Sequence, residues 1–307
     1  MQRALVLYAV MCATAASTAQ ADDFWAFWAD GKAELDGYAL TEPRYGQPRE
    51  GTAVAIFVTE DFSDALRVKA DPGKHAASDL VHVMKVNLVR DFQTGIYDYN
   101  TMTSTFLRTE FGAGEFWPLE KTSFSAEEWC GHVYMQWLPK GTRLAGTSHS
   151  YFDGEADAAP ELELPASGVL EDALPILVRD LRGEWLAAGA SKKVPFLRSQ
   201  LRTRLLHLPA KWGEATVSRA AASATVKTAL GPLRAHTYTV AEAGGDTITF
   251  TVEDAAPHRL LAWQSSSGES ARILGSTRLE YWKLHGNGDE KYLKQLGLVP
   301  QSIPPKK

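Results

Sequence analysis

Alternation of period two recurs through most of this chain, and it commits the chain to antiparallel strands with one buried face. Thr52 to Thr59 opens the series, Leu80 to Asp91 alternates over a longer run, and Ile96 to Leu107 puts Tyr97, Tyr99, Thr101, Thr103 and Thr105 on one side. Gln93-Thr94-Gly95 reads as the turn between those two. Trp129 to Trp137 and Thr142 to Phe152 follow, joined by Leu138-Pro139-Lys140-Gly141, which has the punctuation of a hairpin. A second series runs through Glu214 to Ala221, Ala224 to Thr228, Leu233 to Glu242, Thr247 to Glu253, Arg259 to Ser265 and Ala271 to Tyr281. The expected class is mainly β: long antiparallel strands in curved sheets, a half-barrel or a two-sheet clam, with one or two helices.

The helices are read from a different period. Leu170, Ala173, Leu174, Leu177, Val178 and Leu181 recur at helical spacing, with Gly183 as the stop. Pro175 is compatible with that helix only near its start or at a kink. A short closing helix is expected over Asp289 to Leu296. Residues 1–21 read as an export signal: Arg3 is the basic start, Ala4 to Ala13 the apolar stretch, and Ala19-Gln20-Ala21 the cleavage site. The remaining organisation is an antiparallel β region over 22–152, an acidic loop and helix connection over 153–185, a β meander over 186–298 and a tail over 299–307.

Compartment and composition narrow the function. The signal places the chain in the periplasm or outside the cell, and its cleavage removes Cys12, so Cys130 remains without an intramolecular partner. A lone cysteine in an oxidising compartment is expected buried and inert. A net charge of −5 without a basic run excludes nucleic acid as partner. No apolar run after the signal approaches the length of a membrane-spanning helix.

Several segments resemble a family of exported bacterial proteins of unknown function. They are Asp30-Gly31-Lys32-Ala33-Glu34, Arg44-Tyr45-Gly46, Ile56-Phe57-Val58-Thr59-Glu60, Thr94-Gly95-Ile96-Tyr97 with Met102-Thr103-Ser104, and Trp129-Cys130-Gly131-His132. The closing stretch, Pro257-His258-Arg259-Leu260-Leu261 with Trp263, Gly268, Arg278 and Tyr281-Trp282, is similar to the end of a broader group of secreted β-rich proteins. Members of the first family often carry the label "septum formation inhibitor". Septum inhibitors of that name are cytoplasmic α/β pyrophosphatases with a Ser-x-Ser-Pro-Arg-Arg loop, and this chain has none. The resemblance therefore implies an exported β-rich fold and transfers no catalytic residue.

No complete catalytic set emerges. Trp129-Cys130-Gly131-His132 matches the start of a disulfide-isomerase site, but valine at 133 removes dithiol exchange. Cys130 and His132, at i and i+2 of a strand, form the alternative reading: nucleophile and base of an envelope hydrolase. Glycine at 131 marks a bulge or a close backbone approach. Histidines 82, 132, 149 and 258 lack metal-ligand spacing, and Asp153, Glu155 and Asp157 begin a calcium loop that Ala158 and Leu164 break. No metal or cofactor is expected. Nine tryptophans and long strands point instead to a non-catalytic envelope protein. Its concave sheet would hold a lipophilic molecule, a glycan or other polymer, or a partner protein. Arg44, Tyr97, Tyr99, His132, Arg278 and Trp282 are the candidate ligand-binding residues.

Overall fold

The computed structural model describes residues 23–112 and 115–300; residues 1–21, expected to be an export signal, and residues 301–307 of the expected tail fall outside them. After a short helix over residues 23–28 (α1) come β1 (Ala33–Arg44), β2 (Gln47–Ser63), β3 (Val68–Lys69), β4 (Leu80–Thr94) and β5 (Tyr97–Arg108). Then follow β6 (Leu119–Glu128), β7 (Gly131–Lys140), β8 (Arg143–Ser150), β9 (Glu161–Glu163) and β10 (Val169–Leu170). The helical turn α2 (Leu174–Leu177) leads to β11 (Ser191–Leu197), and α3 (Gln200–Leu205) leads to β12 (Trp212–Arg219). The chain closes with β13 (Ala224–Thr228), β14 (Gly231–Glu242), β15 (Thr247–Glu253), β16 (Leu260–Ser265) and β17 (Ser270–Leu279).

These seventeen strands form one sheet. Pairing gives the spatial order β9-β8-β7-β6-β5-β4-β2-β1-β17-β16-β15-β14-β12-β11-β10. β3 extends the edge of β2 and β13 that of β14. Every pair is antiparallel except β10 with β11. β1 is the seam, since Arg44 pairs with Gln47 of β2 while Glu34 pairs with Arg278 of β17. The sheet is open, curved and mostly antiparallel, as the alternation requires.

What fills the curve is the chain's own connection. Leu40, Phe57 and Met84 from one arm and Val217, Tyr238 and Val252 from the other belong to a single core, and Leu174, Ile176 and Val178 lie in it at no more than 1% exposure. The helix expected over 170–181 is confined to α2, with Pro175 in its first turn. The apolar residues of that stripe are buried as expected, but so are Glu171, Asp172, Arg179 and Asp180. A segment enclosed on every side has no solvent face to sustain a long amphipathic helix. Asp180, in the left-handed region at φ 53°, follows close behind the turn. The closing segment Asp289–Leu296 forms as a 3₁₀ helix rather than an α-helix.

Candidate functional site

One rim of the sheet gathers polar and aromatic groups on the tips of neighbouring hairpins. Tyr45-Gly46 joins β1 to β2 with both residues left-handed, at φ 56° and 72°, the conformation a two-residue hairpin loop demands. This turn sets Arg44 and Tyr45 beside Tyr99. Arg44 donates from Nε and Nη2 to Tyr99 Oη at 3.2 and 3.1 Å, from Nη2 to Tyr45 Oη at 3.3 Å, and from Nη1 to the carbonyl of Leu205 at 2.9 Å. The two phenols are 2.8 Å apart, and Tyr99 stacks on Phe92 with ring centres 4.9 Å apart. Burial raises Tyr99 well above the usual phenol range, so its hydroxyl stays neutral and serves as a fixed link between β5 and the guanidinium.

Glu128 lies opposite Tyr99 in the ladder and extends this network toward α3. Ser199 caps α3 by accepting from the amide of Arg202 at 3.1 Å, and its own amide donates to Glu171. The cap fixes Arg204, which pairs with Glu128 Oε1 at 3.3 Å, donates toward His207 Nε2 at 3.4 Å and lies 3.7 Å above the ring centre of Phe152. His207 Nδ1 in turn meets Glu155 Oε1 at 2.6 Å. Behind these residues is a cavity of about 350 Å³ against β7 and β8. At the centre of the concave face a second cavity measures about 50 Å³, between Arg90, Glu171, Asp172, Trp263 and Glu269.

Of the candidates read from the sequence, Arg44, Tyr97 and Tyr99 come together here. His132 is two strands further along the same rim and exposed, its carbonyl accepting from the amide of Tyr151 at 3.4 Å. Arg278 and Trp282 are elsewhere. Glu34, the partner of Arg278, is ten residues along β1 from Arg44, about 33 Å at the rise of a strand. There Arg278 meets Asp30 at 2.6 Å and covers Phe27, while Trp282 is half exposed beside Tyr281. Sequence reasoning missed Arg204, Gln200 and His207, and weighed Glu155 only as part of a broken calcium loop. Capped Ser199 was the available signal, but α3 is too short to show a helical period.

Cys130 corrects an expectation. It is exposed, because Trp129 and Cys130 form the turn between β6 and β7 rather than the start of a strand. The same-face relation expected of strand positions i and i+2 therefore does not apply to Cys130 and His132. Gly131 is the close approach the sequence implied: a methyl there would collide with the ring of Tyr151. His82 pairs with Asp61, His149 with Asp157, and His258 Nδ1 with the carbonyl of Glu253. No cluster of three or more His, Cys, Asp or Glu side chains placed to hold a metal occurs among the described residues.

Fold and rim together define an open, curved, antiparallel β-sheet protein with a polar and aromatic hairpin edge. No family model and no curated protein matches the chain, so the septum-inhibitor label gains no support. Among solved structures it is similar to a β-barrel-like protein of the domain of unknown function DUF1849 from Brucella abortus. The two share 9% identity over 81% of this chain and 98% of that one, with a TM-score of 0.47.

Proposed function

We propose that this chain is a non-catalytic, exported binding protein of the cell envelope that presents its hairpin rim to a partner protein. The observation that carries this is where apolar side chains face water. Five of the exposed large apolar side chains, Tyr45, Ile96, Trp129, Tyr151 and Leu206, belong to this rim, with Ile96 at 81%, Tyr151 at 72% and Trp129 at 70% exposure. Exposed apolar groups clustered in this way mark interaction sites. Strands are spaced about 4.8 Å apart, so successive hairpin tips stand about 10 Å apart and the row is about 30 Å long, the scale of a standard interface.

Exposed Asp98, Glu127 and Asp153 stand among these tips. They favour a partner whose apolar contacts are ringed by lysine or arginine. The interior supports a partner over an enclosed lipophilic molecule, because residues 169–182 already occupy the centre of the curve.

Photo-crosslinking in the native envelope tests this. A crosslinker at position 129 or 151 should trap one protein reproducibly, and one at Leu66 or Val68 on the opposite edge should not. The triple variant Ile96→Ser, Trp129→Ser, Tyr151→Ser should lose the adduct formed from a crosslinker at Tyr45, with a melting temperature unchanged within about 2 °C. Equal trapping from both ends, or an adduct indifferent to the triple variant, would sink the proposal.

A further inference from the structure

The 350 Å³ cavity is separate from the rim's exposed tips, and its walls carry a specific chemical demand. One wall is the inner side of β7 and β8, with Met135, Trp137 and Ser148; the facing wall is α3 and residues 207–210; residues 154–160 close it. Its volume is at the lower end for small-ligand sites.

Two of its lining side chains, each at most 3% exposed, keep a buried polar atom without a hydrogen-bond partner. Gln200 uses its amide nitrogen on Thr122 Oγ1 and Asp172 Oδ2, both at 3.3 Å, which orients the side chain and leaves Oε1 as a free acceptor. Arg204 uses its two terminal nitrogens on His207 and Glu128, which leaves Nε as a free donor. Both atoms are sealed from the void as well as from partners, and leaving them dry and unpaired is costly, so a ligand toward which the two side chains turn gains affinity.

Charge decides what kind of ligand. Arg204 is balanced by Glu128 and His207 is matched by Glu155, so the walls offer no uncompensated cation to an anion. A hydrocarbon would leave both free atoms unpaired. A hydroxyl both donates and accepts, and a ring bearing several, with an apolar C–H face, fits polar groups on one side and Trp137, Met135 and Pro160 on the other.

We infer that this cavity is a binding site for a neutral, polyhydroxylated ring, one or two sugar units in size. Isothermal titration of the mature protein would use glucose, N-acetylglucosamine and maltose as neutral probes, with octanoate as the lipophilic probe and inorganic phosphate as the anion. At least one neutral sugar should bind, and Gln200→Leu and Arg204→Met should each weaken it about tenfold. Leu208→Trp, a cavity-filling change at a partly exposed position, gives the same loss without touching a buried polar group. The rim triple variant should leave sugar affinity unchanged. Binding of octanoate or phosphate in place of all three sugars would overturn the inference, as would sugar affinity that none of the three cavity variants alters.

Discussion

Arg179 shows what a single buried charge does for this fold. It is wholly buried, pairs with Glu34 at 2.7 Å, and donates to the carbonyls of His258 and Pro257 at 2.8 Å each. Its guanidinium also lies 4.2 Å from the ring centre of Phe57. The one side chain thus ties the internal connection to β1, β2 and the loop before β16. Desolvating the pair costs about as much as its attraction returns, but removing one member leaves the other buried and uncompensated. Arg179→Met should therefore destabilise the protein by about 3–5 kcal/mol in denaturant unfolding. Because Glu34 is then the stranded group, the double variant Arg179→Met, Glu34→Gln should recover part of that loss. A single variant within about 1 kcal/mol of the wild type would show that the ion pair does not hold the connection.

At the scale of elements, the closing segment is held by two glycines facing each other across the β1–β17 ladder. Gly37 pairs with Gly275, and a methyl on either would strike the backbone of residues 295–297 where the 3₁₀ helix lies across the outer face. Leu296 is buried there with Leu35 and Val58. Gly37→Ala or Gly275→Ala should lift this segment, read as faster hydrogen exchange and earlier proteolysis over residues 289–298, with the rest of the sheet protected. Unchanged exchange there would refute the close approach. The same covering explains what the sequence hid. β1 is buried on both faces over Ala33 to Tyr38, so it carries no alternation to read, whereas β4, β5 and β14 have one wet face and were legible. β6 escaped for the opposite reason: its inward positions include Glu120 and Thr122, so hydropathy does not alternate although burial does. At the rim, Tyr97 and Tyr99 stood in a readable strand, whereas Arg44 came to notice only in the resembling segment Arg44-Tyr45-Gly46. Arg204 and Gln200 belong to a six-residue helix whose role comes from the network around it.

For the whole molecule, the consequence of wrapping one sheet around a polar connection is a stability that depends on pH in an unusual direction. Burial first, and then the charge of Glu269, pushes Glu42 up to about 8. Burial likewise pushes Glu171 to about 7 and Asp172 to about 6, with Arg202 opposing the first and hydrogen bonds from Gln200 the second. All three values exceed those of the unfolded chain, so the folded state holds more protons between roughly pH 4 and 8. The stability these carboxyls supply is complete below their unfolded values and is lost as pH rises through 6, 7 and 8. Asp79, Asp246 and Asp254 are shifted the other way, Asp79 by hydrogen bonds from Ser63 and Ala65, and the other two by hydrogen bonds and nearby positive charge that outweigh burial; what they contribute is lost as pH falls below about 4. The melting temperature should therefore peak near pH 5 and fall by at least about 5 °C toward pH 8, at roughly 2–4 °C per kcal/mol for a chain of this size. Glu42→Gln, which fixes that position in its neutral form, should flatten the upper part of the decline and leave the acid limb in place. A melting temperature that rises from pH 5 to 8, or a slope that Glu42→Gln does not change, would mean that the cavity beside Arg90 and Glu269 hydrates these groups instead of holding their protons.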